Sequence, residues 1–69
     1  MKIFSIQQLG ELIRTERKVQ GLRQKDLADA IGVGIVFLSD LENGKPTAEV
    51  GKVLRVLHGL SLNVDVSRR

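Results

Sequence analysis

Basic side chains are the most concentrated chemical groups in this 69-residue sequence. Residues 14–25 hold five basic residues and one acidic residue, which gives this stretch a net charge of +4. The whole chain carries +3, so the remaining residues are close to neutral. A basic cluster on a near-neutral body favours a polyanionic partner, although a solvated helix end rich in arginine and lysine would give the same pattern.

Groups for covalent or metal chemistry are scarce. The chain has no cysteine and no tyrosine, which excludes disulfides and thiolate zinc sites. Its single histidine, His58, falls near a predicted helix end, where the helix dipole favours a cation. Ser39 and Ser61 show no triad spacing with His58, and no glycine pattern matches a phosphate-binding loop. The sequence therefore predicts a protein that is not an enzyme and holds no cofactor or metal ion.

The first of four predicted helices begins with a capping-box pattern. Ser5 is followed three residues later by Gln8, and apolar residues then recur at helical spacing. We expect a helix from about Ile6 to Val19, ended by Gly21.

Two short helices separated by a tight turn follow. Helical spacing predicts one from about Gln24 to Ile31 and the next from about Ile35 to Glu42. Gly32 breaks the pattern between them, and Val33 is predicted to be a buried anchor in the turn. The sequence thus predicts a helix-turn-helix over about residues 23–43.

The pattern changes after a fourth predicted helix, which follows Pro46 and ends at Gly59. Its apolar repeat is Val50, Val53, Leu54 and Leu57. Apolar and polar residues then alternate over about residues 60–66, as in a strand with one apolar face formed by Leu60, Leu62, Val64 and Val66. A lone strand leaves its backbone groups unpaired, so we expect it to pair with its copy in a second chain. The alternative is a tail that happens to alternate.

Size and composition indicate one globular domain over residues 1–69. Hydrophobic residues make up 42% and charged residues 28% of the chain. No apolar run approaches the ~20 residues of a membrane span, and no export signal is evident, so a cytoplasmic protein without membrane contact is predicted. A chain this short buries only about 60% of its unfolded surface, which favours an oligomer.

Residues 22–33 and 38–45 carry a specific resemblance. They resemble the Xre or phage-repressor family of helix-turn-helix domains, and the similarity extends over roughly residues 8–59. The matching features are Gln24, Leu27-Ala28, the Ile31-Gly32-Val33 turn and Glu42-Asn43-Gly44-Lys45. The flanking segments are similar to HipB-type antitoxins, the DNA-binding partners of HipA-like serine/threonine kinase toxins. The resemblance implies an all-α, four- to five-helix lambda-repressor-like domain whose short C-terminal β-strand pairs across a homodimer.

The second helix of such a motif enters the DNA major groove with its N-terminal residues leading. Ile35 and Val36 can contact only thymine methyl groups there, whereas Ser39 and Asp40 can form hydrogen bonds. Phe37 is expected in the core or an interface. The resemblance implies phosphate contacts near both helix ends and a structural ion pair between Arg17 and Glu42. The complete set of predicted DNA-binding residues is Arg23, Gln24, Lys25, Gly34, Ile35, Val36, Ser39, Asp40, Asn43 and Lys45.

Two positions depart from the family pattern. Arg23 and Gly34 stand where these helices usually begin with a serine or threonine cap. Loss of an oxygen cap costs about 0.5–2 kcal/mol, or only tenths when glycine replaces it.

Together these features predict a dimeric, sequence-specific DNA-binding antitoxin that represses its own operon. Its expected partners are operator DNA, a second copy of the chain and a HipA-like serine/threonine kinase toxin. Two alternatives remain open. One is a protein-interaction module that neutralises a kinase without reading an operator, and the other is a stand-alone phage-like repressor.

Overall fold

The computed structural model describes residues 5–62, which form four helices and no strand. They are α1 (Ile6–Val19), α2 (Gln24–Ile31), α3 (Ile35–Glu42) and α4 (Val50–Gly59). The predicted bounds of the first three helices are confirmed. None of the helices within residues 5–62 is long and apolar enough to cross a membrane.

Local chemistry explains where the helices begin and end. The Ser5 hydroxyl caps α1 by accepting a 3.1 Å hydrogen bond from the Gln8 amide. Gly21 follows α1 with φ +73°, and Gly32 ends α2 with the same φ. These left-handed conformations cost glycine little, so both helices stop where the sequence predicts.

One core joins all four helices. α3 packs against both α1 and α2, and α2 also packs against α4. Leu38 and Leu41 lie on the face of α3 that packs against the other helices, and both are fully buried. Burying each such side chain contributes about 1.5–3 kcal/mol. The buried apolar residues are Ile13, Leu27, Ala28, Val33, Leu38, Leu41, Val56, Leu57 and Leu60.

α1 crosses the end of α3 at Gly10. A Cβ atom at this position would collide with the carbonyl oxygen of Leu41 and lie 2.8 Å from that of Glu42. Only glycine lets the two backbones come this close. The crossing holds the C-terminal end of α3 against the domain, which leaves its N-terminal end directed outwards.

The chain leaves α4 differently from the prediction. Leu60 was expected to begin the strand, but it is only 1% exposed, caps α4 and completes the core. Ser61 adopts a left-handed φ of 58°, and the Leu62 amide donates to the Leu57 carbonyl at 2.8 Å. These bonds form a helix-ending turn, so a strand beginning at Leu60 is wrong. Val64 and Val66, the remaining predicted strand residues, lie outside the described residues.

The apolar repeat of α4 faces the core only in part. Leu57 is buried and Val53 packs against the core, but Val50 is 63% exposed and Leu54 is 38% exposed. The buried position that the repeat missed is Val56. Because α4 meets mainly α2, a narrower face of α4 is covered than its apolar repeat suggests.

Candidate nucleic-acid interface

The α2-turn-α3 unit fixes the orientation of α3. Val33 is buried in the turn, and its amide donates to the Ala28 carbonyl at 3.1 Å. With Val33 anchored and Leu38 inside the core, the first turn of α3 must project from the body of the domain.

That first turn presents two apolar side chains to solvent. Ile35 is 47% exposed and Val36 is 70% exposed. Gly34, the N-cap residue, supplies no side-chain hydrogen bond to the helix. Phe37 instead packs against the core, with the Lys52 ammonium 5.4 Å from its ring centroid. The structure therefore separates Phe37 from the exposed pair that precedes it.

Two short polar side chains of α3 lie beyond its buried face, and one of them already has a partner. Ser39 and Asp40 are half-buried, and the Asp40 carboxylate lies 3.7 Å from the Lys45 ammonium. This partly exposed ion pair reduces the repulsion that Asp40 would exert on a phosphate. Surface pairs of this kind contribute about 0–1 kcal/mol, so Lys45 can turn to a phosphate at small cost.

Asn43 closes the end of α3. Its side-chain amide donates to the Ser39 carbonyl at 3.0 Å, while the residue itself stays exposed. The same carbonyl accepts from the Asn43 backbone amide at 3.1 Å, so the side chain adds a second donor at the end of α3. The side-chain bond also orients the exposed amide group at the position predicted to contact phosphate.

Asp26 compensates for the missing cap at the start of α2. Its carboxylate accepts 3.0 Å hydrogen bonds from both the backbone amide and the guanidinium of Arg23. The hydrogen bond from the Arg23 side chain is the main cause that lowers the pKa of Asp26, and it raises the pKa of Arg23. Because arginine has no acceptor atom, only this half of a capping box can form. The side chain of Arg23 remains 80% exposed.

Gln24, by contrast, belongs to a buried network. The Arg17 guanidinium donates two hydrogen bonds, of 2.7 and 2.9 Å, to the Glu42 carboxylate. The side-chain amide of Gln24 donates to the same carboxylate at 3.2 Å. The Arg17 and Glu42 side chains are 9% and 2% exposed. The hydrogen bond to Glu42 raises the pKa of Arg17. The ion pair thus joins α1 to the end of α3, and the hydrogen bond from Gln24 links α2 to the same carboxylate.

No sequence signal revealed that Gln24 would join this network. The residue lies 18 positions before Glu42, and its link depends on how α2 packs against α3. An amide nitrogen has two hydrogens, of which one points to Glu42. The other is available to an acceptor outside the domain, and the buried carboxylate fixes its direction.

The basic cluster of residues 14–25 does not form one continuous group. Arg17 lies inside the domain, whereas Arg23 and Lys25 pair with acids on α2; the Lys25–Asp29 distance is 2.8 Å. Arg14 and Lys18 are exposed on α1 and have no ion-pair partner among residues 5–62. The structure therefore divides the cluster into a structural arginine, paired cations on α2 and two exposed cations on α1.

Metal binding has no support in the part of the chain that the structure describes. No group of three or more histidine, aspartate or glutamate residues there comes close enough to hold an ion. The exposed features of the α2-turn-α3 unit are instead a projecting helix start, amide side chains and cations.

Comparison with known proteins identifies this arrangement. A family model described as a helix-turn-helix domain matches residues 8–69. The chain belongs to the helix-turn-helix family. The family's two-helix motif corresponds to α2 and α3, so the projecting turn lies at the start of the motif's second helix.

Two relatives of this protein have names that refer to regulation. The HTH-type transcriptional regulator y4mF of Sinorhizobium fredii is 53% identical over 58 residues, which cover 84% of this chain and 76% of that protein. The ImmF control region 10 kDa protein of Bacillus phage phi105 is 40% identical over 58 residues. That match covers 81% of this chain and 64% of the phage protein, so the chain spans less than two thirds of that relative.

Solved structures of HipB share the fold. In a HipB–O4 20mer complex, HipB is 26% identical to this chain with a TM-score of 0.86, over 99% of this chain and 96% of HipB. A HipA–HipB–O2–O3 complex gives the same TM-score and identity. The chain is therefore similar to HipB in fold.

Proposed function

We propose that this protein is a sequence-specific DNA-binding antitoxin that represses its own operon and acts as a dimer. Its DNA would be an operator in its own promoter, which makes it a cytoplasmic, nucleoid-associated protein. The observation that carries the proposal is the projecting first turn of α3, where Gly34, Ile35 and Val36 stand clear of the domain.

Phosphate contacts supply most of the affinity in this proposal. The candidate cations before and after α3 form only surface ion pairs. Each can therefore leave its carboxylate partner for a DNA phosphate at little cost in free energy. Gln24 contributes the amide hydrogen that Glu42 leaves available. The proposed phosphate-binding residues are Arg23, Gln24, Lys25, Asn43 and Lys45, and those in the groove are Gly34, Ile35, Val36, Ser39 and Asp40.

The dimer in this proposal pairs the segment from Leu62 to Val66 with its copy. A symmetric pair of α3 helices about 34–36 Å apart would match inverted half-sites one helical turn apart. Each subunit then reads one half-site, which doubles the few base contacts that one α3 can make.

The kinase partner is supported by similarity alone. HipB, which this chain resembles in fold, occurs in a complex with HipA. We propose that a HipA-like kinase encoded beside this gene binds the protein and is neutralised by it. Co-expression of the two proteins, with the tag on the kinase only, would test this, because a phage-like repressor without a toxin would not be retained.

Titration of the purified protein on labelled DNA tests the central claim. Fluorescence anisotropy should show at least about 10³-fold tighter binding to its own promoter than to a scrambled duplex. The affinity should fall steeply as salt concentration rises, because phosphate contacts release counterions. Equal, weak binding to both duplexes would refute operator reading.

A second candidate function rests on the composition of α3. The helix carries no arginine, lysine, asparagine or glutamine, the side chains that usually read bases. Its exposed apolar pair could instead dock against a kinase or another protein. In that case promoter preference would be absent while kinase retention persisted.

A further inference from the structure

We infer that Ile35 and Val36 read thymine methyl groups, so operator recognition depends on methyl contacts more than on hydrogen bonds to base edges. This inference rests on the proposed DNA-binding function and specifies its chemistry. Ile35 and Val36 are called the methyl-reading pair below.

The side chains of α3 offer few other means of reading bases. Of its eight residues, Leu38, Leu41 and Glu42 are buried, and Phe37 packs against the core. Ser39 and Asp40 remain, but both are short and half-buried, and Asp40 is paired with Lys45. The most exposed side chains of the helix are therefore apolar. In the major groove, the thymine C5-methyl group is the base feature suited to apolar contact.

Polar groups beside the methyl-reading pair favour DNA over an apolar protein surface as the occupant. The first helical bond of α3 runs from the Leu38 amide to the Gly34 carbonyl, and Gly34 gives no side-chain cap. The three amides from Ile35 to Phe37 thus have no acceptor within residues 5–62. A purely apolar partner would bury these amides without acceptors, and each such burial is unfavourable. DNA offers methyl groups, base acceptors and phosphates together, and its negative charge matches the positive end of the helix.

Access to the pair is open. A Cβ atom added to Gly32 or Gly34 would meet nothing within 4 Å, so neither flanking position shields the helix start. Isoleucine and valine are also β-branched, and their χ1 angles are restricted in a helix. The pair therefore loses little side-chain freedom when it contacts a base.

The experiment compares two versions of the promoter that differ only in methyl groups. One duplex is amplified with dTTP and the other with dUTP, so base pairing and all groove hydrogen-bonding atoms stay the same. For each thymine methyl group that the pair touches, its removal should weaken binding of the wild-type protein about fourfold. Because a dimer presents two such pairs, the uracil promoter should bind at least about tenfold more weakly overall.

Variants assign the effect to the methyl-reading pair. The Ile35→Ala, Val36→Ala double variant should bind the thymine promoter more weakly and should no longer distinguish it from the uracil promoter. Val19→Ala is the matched control, because this valine is 74% exposed on α1 and has no proposed contact with DNA or a second subunit. It should keep the full difference between thymine and uracil promoters. A change in DNA shape caused by uracil would affect every variant equally.

The outcomes separate the inference from the proposed function. If wild-type protein prefers its promoter but binds thymine and uracil duplexes equally, methyl reading is overturned while operator binding stands. The same holds if the double variant retains the difference. If no promoter preference exists at all, the proposed function itself fails. Circular dichroism of the double variant should match wild type, since both side chains are exposed.

Discussion

At the level of single residues, Glu42 carries a buried charge that needs several hydrogen-bond donors. Its carboxylate is almost completely buried, yet it accepts hydrogen bonds from Arg17 and Gln24 and leaves no acceptor atom without a donor among the described residues. A buried ion pair of this kind adds little net stability. Removal of one partner is nevertheless destabilising, because the other charge stays buried without a counterion.

The Glu42→Gln variant should therefore lose about 3–5 kcal/mol of unfolding free energy. Glu49→Gln is the matched control, because Glu49 forms a 3.1 Å pair with Lys52 on the surface. Its loss should stay within about 0.5 kcal/mol. Urea unfolding at neutral pH measures both variants, and equal losses would show that burial does not distinguish the two pairs.

Asp26 gives the stability of the protein a pH dependence of known sign. Bonding to Arg23 lowers its folded-state pKa below the usual value of 3.8. The unfolded state therefore takes up a proton first as pH falls. The stability that Asp26 provides is complete above about pH 4–5 and is lost as pH falls through the lower, folded-state pKa.

Replacement of Asp26 by Asn should remove this contribution at neutral pH and make the acid limb of the stability curve shallower. Urea midpoints of the wild type and Asp26→Asn should differ at neutral pH and converge on acidification. Parallel curves would mean that the Arg23 contacts do not favour the charged carboxylate.

At the level of the helices, the crossing of α1 and α3 depends on one missing side chain. A methyl group at Gly10 would press against backbone carbonyls, which cannot rotate away as a flexible side chain would. Gly10→Ala should therefore destabilise the protein by about 1–3 kcal/mol, in spite of the higher helix propensity of alanine.

Gly51 provides the matched control for this prediction. It is also a helical glycine, but a Cβ atom there would meet nothing within 4 Å. Gly51→Ala should stabilise the protein by about 0.5–1 kcal/mol through propensity alone. Thermal unfolding of the two variants should thus shift in opposite directions, and a common direction would contradict the close approach at Gly10.

The helix ends could be predicted because their causes are local. Ser5 caps α1, and Gly21 and Gly32 take the left-handed conformations that end α1 and α2. Leu60 illustrates the opposite case. Leu60 does alternate with polar neighbours, as a strand residue would. Its side chain is nevertheless buried in the core, and this burial depends on tertiary packing that the local pattern does not show.

The candidate site was predictable in position but not in its connections. The sequence singles out Gln24, Asp40 and Lys45 as candidate interface residues, and their DNA contacts stay a prediction. That Gln24 donates to Glu42, and that Asp40 faces Lys45, depends on how the chain folds back on itself. Helical periodicity also cannot tell that Val50 remains exposed, because the pattern shows an apolar face without showing its partner.

At the level of the whole molecule, the proposed dimer has two candidate interfaces. One is the apolar edge of α4, where Val50 and Leu54 are exposed. The other is the alternating segment that follows Leu62, whose residues from 63 onward lie outside those described. The segment is the stronger candidate because the strand that its alternation predicts would need an external backbone partner, whereas exposed apolar side chains on a helix are common.

A lysine substitution at either surface should decide between them. We expect the Val64→Lys, Val66→Lys double variant to sediment as a monomer and Val50→Lys to remain a dimer, since charge opposes pairing only where the copies meet. The monomer should bind the promoter far more weakly, because two linked half-sites act together and one does not. If Val50→Lys dissociates the protein instead, α4 forms the interface, and the spacing of the α3 helices must be reconsidered. If neither variant dissociates, both surfaces are excluded and promoter binding should stay unchanged.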